Sequence, residues 1–244
     1  MRQALRILGT LVAGAGILGL LWVLTVWQWQ DPFTALYATY QQHRLAASYD
    51  RIEGAYVPLV QPQPSVEGGT SSGGTIRIRR LIAREAKRYR HTLEEGEPLG
   101  RLEIPRLGLS SIVVTGTQSS SLTKGPGWYR GTFLPGERQL IYIAGHRTTY
   151  LAPFAHIDSL RAGDRVILEL PYGTFVYSVT GHEIVPADDI ARLRSRGREV
   201  VALQACHPRF FATHRYIVYA RPVRVIPRHG RPYTVGRAVR AADA

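Results

Sequence analysis

The chemistry this chain could perform centres on one sulfur. Cys206 is the only cysteine among 244 residues, and it ends the apolar run "EVVALQAC" just before a loop crowded with His and Arg, "HPRFFATHR". A thiol alone is a weak nucleophile at neutral pH, because its ordinary pKa is about 8.5. A neighbouring imidazolium or guanidinium favours the thiolate, and a histidine can then protonate a departing amine. An arginine at the rim can hold a substrate or stabilise a developing oxyanion. Cys, His and Arg brought together would therefore make an acyl-transfer site. Against this, unpaired cysteine is among the most buried residue types, so composition alone favours an inert core thiol.

Two residues stand where strand ends could bring them to the sulfur. Arg215 opens the run "RYIVYA" after an eight-residue loop. If that run pairs antiparallel with "EVVALQA", the end of the first lies beside the start of the second. His146 ends another apolar run, "QLIYIAG", where Gly145 would let the chain turn. Other histidines compete. His207 precedes Pro208 and should be extended, so alternation turns it away from Cys206. By the same alternation His214 and Arg215 cannot both face the sulfur. His156 and His182 have no distinguishing context and read as surface or packing residues. The residues alone leave the choice of histidine open.

Several elements must position these groups. Residues 7–30 carry no charge, and "ILGTLVAGAGILGLLWVLTVW" is apolar over about 21 positions, enough for a helix of roughly 30 Å. Arg2 and Arg6 precede it, and Trp22, Trp27 and Trp29 cluster at its far end like an interfacial belt. The bulky far end argues for an uncleaved anchor rather than a cleaved signal peptide. The flanking arginines favour a cytoplasmic N-terminus, with the remainder outside. An exported, unpaired thiol is either buried or chemically employed.

The expected organisation is a cytoplasmic stub and transmembrane anchor (1–30) and a juxtamembrane helix (31–50) capped by Asp31 with Pro32 in its first turn. A flexible Pro/Gly/Ser tether (51–76) and a basic helix (77–98) follow. Residues 99–228 then break into seven or eight short Val/Ile/Tyr/Leu-rich runs bounded by Gly and Pro, which predicts an all-β sandwich or closed barrel. A short helix is expected in "LAPFAHIDSL", and a basic, disordered tail over 229–244.

Net charge is +13 and uneven. Residues 77–90 hold seven basic residues against one acidic, and the stretch from Arg221 to Ala244 holds six arginines and one aspartate. A solvated helix face and a free tail are the bland account; attraction to anionic membrane or wall polymers is the functional one. Nucleic acid fits poorly with a protein placed outside the membrane. No zinc spacing, P-loop or dinucleotide fingerprint occurs.

The joint set "AGHRTTYLAPF", "DSLRAGDRVIL" and "CHPRFFATHRYIVYA" resembles the sortase family, membrane-anchored transpeptidases of Gram-positive bacteria, and most of all its class E housekeeping branch in actinobacteria. The resemblance covers about 99–226, and the order His, Cys, Arg agrees with it. It implies an eight-stranded β-barrel with short helices, with Cys206 as nucleophile, His146 as general acid and base, and Arg215 as substrate clamp and oxyanion stabiliser. Tyr150, in "TTY", and Ala205 are implied as substrate contacts. Ala205 departs from the family, which usually has Thr there, and so puts recognition of the sorting motif in doubt. "DPF" at 31–33 is similar to the lid motif of pilin-assembling members but reads better as a helix start.

The implied reaction cleaves a C-terminal sorting signal, LPxTG- or LAxTG-like, between Thr and Gly through a thioester. The protein is then passed to an amine of a lipid-linked peptidoglycan precursor, with no cofactor and no metal. The rival expectations are a membrane-anchored cysteine peptidase, a pilin-polymerising enzyme, and, furthest off, a non-catalytic wall-binding domain.

Overall fold

The computed structural model describes residues 2–29, 32–59 and 72–235. The expected Asp31 cap, residues 60–71 of the tether and the last part of the tail lie outside those residues. Helix α1 (Arg2–Trp29) contains a stretch, Arg2–Leu24, whose most apolar 18-residue window has a mean hydropathy of 2.3, long and apolar enough by length and composition to cross a membrane.

Helix α2 (Pro32–Ala55) begins on the expected proline but runs past residue 50, and it is not a free spacer. Ala38, Leu45 and Tyr49 fall on one helical face and are buried. Gln42 on that face donates to the carbonyls of Ile112 (3.1 Å) and Lys124 (2.7 Å) and accepts from Ser111 Oγ and the Ile112 amide. Tyr49 Oη donates to Glu169 O. One amide side chain thus uses its full hydrogen-bonding capacity to fasten α2 to the adjoining sheet.

Helix α3 (Ser72–Thr92) holds the expected basic segment but starts five residues earlier, within the expected tether, and ends at Thr92 rather than 98; its apolar stripe does the packing. Ile82, Ala86, Tyr89 and the following Leu93 recur at helical spacing and join the main core. Part of its charge is committed internally. Arg90 pairs with Glu137 at 2.9 Å, Arg88 with the fully buried Glu85, and Arg79 lies over the Tyr233 ring.

The strands are β1 (Pro98–Ile104), β2 (Leu109–Thr115), β3 (Gly127–Trp128), β4 (Leu140–Ala144), β5 (Arg165–Leu170), β6 (Gly173–Pro186), β7 (Val200–His207), β8 (His214–Pro227) and β9 (Tyr233–Thr234). They form one sheet in the order β6-β5-β1-β2-β3-β4-β7-β8-β9, and a further β6–β8 pairing closes it. Eight strands make the barrel and β9 is appended to β8, so the expected eight-stranded barrel is present. Alternation sends one set of side chains, including Trp128, Tyr177, Leu203 and Val218, into a single interior core.

Two local expectations are corrected. The tail is not wholly free: Tyr233 and Thr234 pair with Val225 and Arg224, and Val235 N donates to Val223 O. The helix expected in "LAPFAHIDSL" shrinks to one 3-10 turn, Ile157–Ser159. Leu151 and Ala152 are left-handed, with φ of 63° and 38°, and Pro153 follows, so a right-handed helix cannot start there.

Candidate active site

Alternation along β7 decides where the thiol points. Val201, Leu203 and Ala205 face the interior core, while Ala202 belongs to a second cluster on the outer face with Leu140, Tyr142, Val185 and Ile217. Cys206 therefore follows the outer set, and it is half-buried rather than sealed in the core. On β8, Tyr216 and Val218 turn inwards while Ile217 turns out, so Arg215 shares the outer face. Cys206 and Arg215 are direct partners in the antiparallel register. Directly opposed residues present their side chains on one face as neighbours.

His146 reaches the same edge from the other side of β7. Strand β4 runs parallel to β7 with Ala144 opposite Gln204, and Gly145 N donates to Gln204 O at 2.9 Å. His146 lies two positions beyond Ala144, as Cys206 lies two beyond Gln204, so both chains leave the sheet side by side. Gly145 serves this junction by close approach, not by a left-handed turn. A Cβ there would lie 2.6 Å from the buried Phe154 ring.

The guanidinium of Arg215 is pinned. Its Nη1 donates to Ala212 O (2.7 Å), in the β7–β8 connection, and to His214 O (3.0 Å), at the start of β8. Phe210 and Phe211 stand exposed on that connection, four and five residues after the thiol in sequence.

Arg147 is a residue the sequence reading missed. It is 4% exposed and ion-paired with Asp158. Its Nη1 approaches Cys206 O (3.4 Å) and His207 Nδ1 (3.1 Å), and its guanidinium lies over the Tyr216 ring. A guanidinium only donates, so His207 Nδ1 accepts. Arg147 thus ties the segment carrying the histidine to the end of the strand carrying the cysteine. The signal was available: an arginine between a candidate catalytic histidine and "TTY" is costly to bury without such partners.

The imidazole of His146 is covered by Tyr150, whose ring centroid is 5.2 Å away. Burial pushes this imidazole below the ordinary histidine value. Its Nε2 is buried with no hydrogen-bond partner among the described residues. Tyr150 is in turn held from α2: its amide donates to Thr34 Oγ1 (3.3 Å), and Tyr37 meets its ring edge-on at 6.4 Å. Tyr150, Leu151 and Ala152 are three consecutive non-glycine residues in the left-handed region, a conformation that persists only where its surroundings enforce it.

Other expectations resolve individually. Ala205 is fully buried and points into the barrel, so its methyl packs in the core and any substrate contact there falls to its backbone. His207 faces away from the thiol's side and contacts the inward Tyr216 ring, and His182 stacks on that same ring. His214 is exposed beside Thr213, and His156 is exposed next to the 3-10 turn. A half-buried thiol, a guanidinium in register with it and an imidazole with an uncommitted nitrogen make an arrangement suited to nucleophilic acyl transfer.

Residues 102–223 match the family model for the sortase domain. Among curated proteins, the chain is 34% identical over 134 residues to Sortase D of Bacillus subtilis, covering 53% of this chain and 66% of that protein. It is 30% identical over 164 residues to Sortase SrtE1 of Streptomyces coelicolor, covering 60% of this chain and 46% of that one. Relatives of both the D and E types thus match at similar identity, so the closeness to class E has only weak support. In fold it is similar to the Sortase D5 transpeptidase of Clostridium perfringens, with a TM-score of 0.58 at 19% identity, covering 75% of this chain and 99% of the other.

Proposed function

Because the chain belongs to the sortase family, we propose that it is a membrane-anchored cysteine transpeptidase acting on C-terminal sorting signals. The observation that carries this reading is the Cys206–Arg215 register pair on the outer barrel face, with His146 emerging from the parallel neighbour of the same strand.

Cys206 gives its thiol proton to His146, and the resulting thiolate attacks the carbonyl between Thr and Gly of an LPxTG- or LAxTG-like signal. A C–S bond forms and negative charge collects on the carbonyl oxygen, towards which Arg215 presents the N–H groups its loop contacts leave over. As the intermediate collapses, the C–N bond breaks and His146 gives its proton to the departing glycine amine. An amine of a lipid-linked peptidoglycan precursor then attacks the thioester, giving up a proton to His146, and the thiolate leaves. Tyr150 and the exposed Phe210 and Phe211 offer apolar surface for the signal's side chains.

Helix α1 anchors the enzyme, with the N-terminus cytoplasmic and the barrel outside. Donor and acceptor are held at the same membrane, so confinement raises their effective concentration.

The test is mass spectrometry of the protein incubated with a sorting peptide. The expected product is an acyl adduct on Cys206 that disappears when a peptidoglycan-type amine is added, with an amide-linked product in its place. The Cys206→Ala variant should show neither. An unmodified cysteine would refute the reading, and release of free acid alone at every amine concentration would reduce the enzyme to a peptidase.

A further inference from the structure

The connection between β6 and β7 places arginine at every second position, Arg192, Arg194, Arg196 and Arg198. The intervening residues fix it to the barrel. Leu193 packs on the outer-face cluster, and Ser195 Oγ accepts from Leu140 N (3.1 Å) and donates to Gln139 Oε1. With the alternate residues so used, the arginines line a recess of about 370 Å³ together with Arg221, floored by Leu140, Val200 and Tyr219. Arg192 is neutralised, by Glu183 and Asp189 at 3.3 Å each. Arg194, Arg196, Arg198 and Arg221 are exposed and have no ion pair or side-chain hydrogen bond among the described residues. Four uncompensated guanidinium groups around one concavity repel one another and form a ready site for carboxylates.

The recess lies on the same wall as the thiol, at its opposite end. Val200 opens β7 and Cys206 nearly closes it, a span of roughly 20 Å that about six extended residues would cover. The outer-face cluster between them is buried under Leu193, so a donor chain crosses it over the β6–β7 connection. In a two-step acyl transfer the leaving part departs while the acyl part must stay bound until the amine arrives. The acyl side is therefore the one that needs continuous contact along this wall. The sorting motif itself occupies about four residues before the scissile bond, which leaves the recess to the residues immediately upstream.

We infer that this arginine-lined recess is a subsite for acidic side chains just upstream of the sorting motif in the donor protein. The inference rests on the transpeptidase reading above and names a feature of its donor substrate. An extended acidic donor exploits both the position on the thiol's wall and the row of unpaired charges.

The experiment compares three peptides on the full chain in detergent: the sorting motif alone, the motif preceded by four Asp/Glu residues, and the motif preceded by four Asn/Gln residues. The acidic peptide is expected to have a KM about fivefold to tenfold below that of its amide counterpart at low ionic strength. The ratio should fall towards one in 0.5 M salt and in a variant carrying Arg194→Gln, Arg196→Gln, Arg198→Gln and Arg221→Gln, whose melting temperature is measured alongside. Equal KM values, or a preference that survives in the variant, overturn the inference. So does a glycerol-phosphate polymer that binds the recess while acidic and amide peptides remain indistinguishable. If the unextended motif forms no thioester on the wild-type chain, the transpeptidase reading has failed. The subsite is then judged separately, by fluorescence anisotropy of the labelled acidic and amide peptides on the Cys206→Ala chain.

Discussion

Cys206 and Arg215 are neighbours on a continuous antiparallel ladder, whereas His146 and Tyr150 sit on an irregular segment held from outside the barrel. The first pair owes its geometry to backbone hydrogen bonds and to an inward row of core side chains on each strand. Slipping that register by one residue would turn Leu203 and Val218 out of the core, so the fold's stability also secures the pair. The histidine has no such ladder. It depends on Arg147 reaching back to the end of β7, on the Phe154 amide bonded to the His146 carbonyl, and on Thr34 and Tyr37 of α2 holding Tyr150. One side of the site is set by the barrel, the other by contacts that a modest change can loosen. The proposed site therefore has a rigid half and an adjustable half.

The largest effect that would sharpen this contrast is expected at Arg215. Arg215→Ala should lower kcat/KM for a sorting peptide by about 10²- to 10³-fold, as loss of an oxyanion donor does elsewhere. Its melting temperature should hardly move, because the strand pairing is made by backbone. Arg215→Lys should recover only part of the rate, since an ammonium lacks the planar fork. A large fall in melting temperature with Arg215→Ala would show that the side chain holds the ladder and would dissolve the distinction.

An intermediate effect is expected on the other side. Tyr37→Ala touches neither the thiol nor the imidazole, yet it removes the edge-on contact with Tyr150. A fall in kcat of about threefold to tenfold with little change in KM is expected, because a loosened histidine misplaces the proton donor. An unchanged kcat would mean that α2 merely packs against the barrel.

The same division explains what could be read without a structure. The barrel is legible because its strands, the two-residue β3 apart, are Val/Ile/Tyr/Leu-rich runs ended by Gly or Pro, and those signals are local. The Cys206–Arg215 neighbourhood is legible too, since two adjacent strands joined by a short loop leave little choice of pairing. His146 could be singled out only by resemblance, because its partnership with Cys206 depends on a parallel pairing between strands far apart in sequence. The docking of α2 was hidden for a similar reason. Gln42 looks like any surface glutamine until the carbonyls it reaches, Ile112 and Lys124, are brought beside it. Ala205 stands next to the proposed nucleophile in sequence, yet alternation along β7 sends the two side chains to opposite faces. The alternating arginines of 192–198 were visible as a pattern, but only the pinning of Leu193 and Ser195 gives that pattern a direction.

The smallest effect concerns protons and belongs to the histidine half alone. Burial, with Tyr150 over the ring, depresses the His146 value in the folded state, whereas the unfolded chain has the ordinary one near 6.5. Between those two values the unfolded state binds more protons than the folded state, so stability rises with pH across that window. The contribution of neutral His146 is complete above about 6.5 and is lost as pH falls through the unfolded value towards the folded one. Urea midpoints measured from pH 7.5 to 5 should therefore decline more steeply for the wild type than for His146→Gln. The same comparison by NMR assigns the imidazole resonance of His146, whose titration midpoint should move up towards 6.5 in Tyr150→Ala. A midpoint that stays low without the tyrosine ring would mean that the barrel wall itself desolvates the imidazole, and the histidine would then be held as firmly as the cysteine.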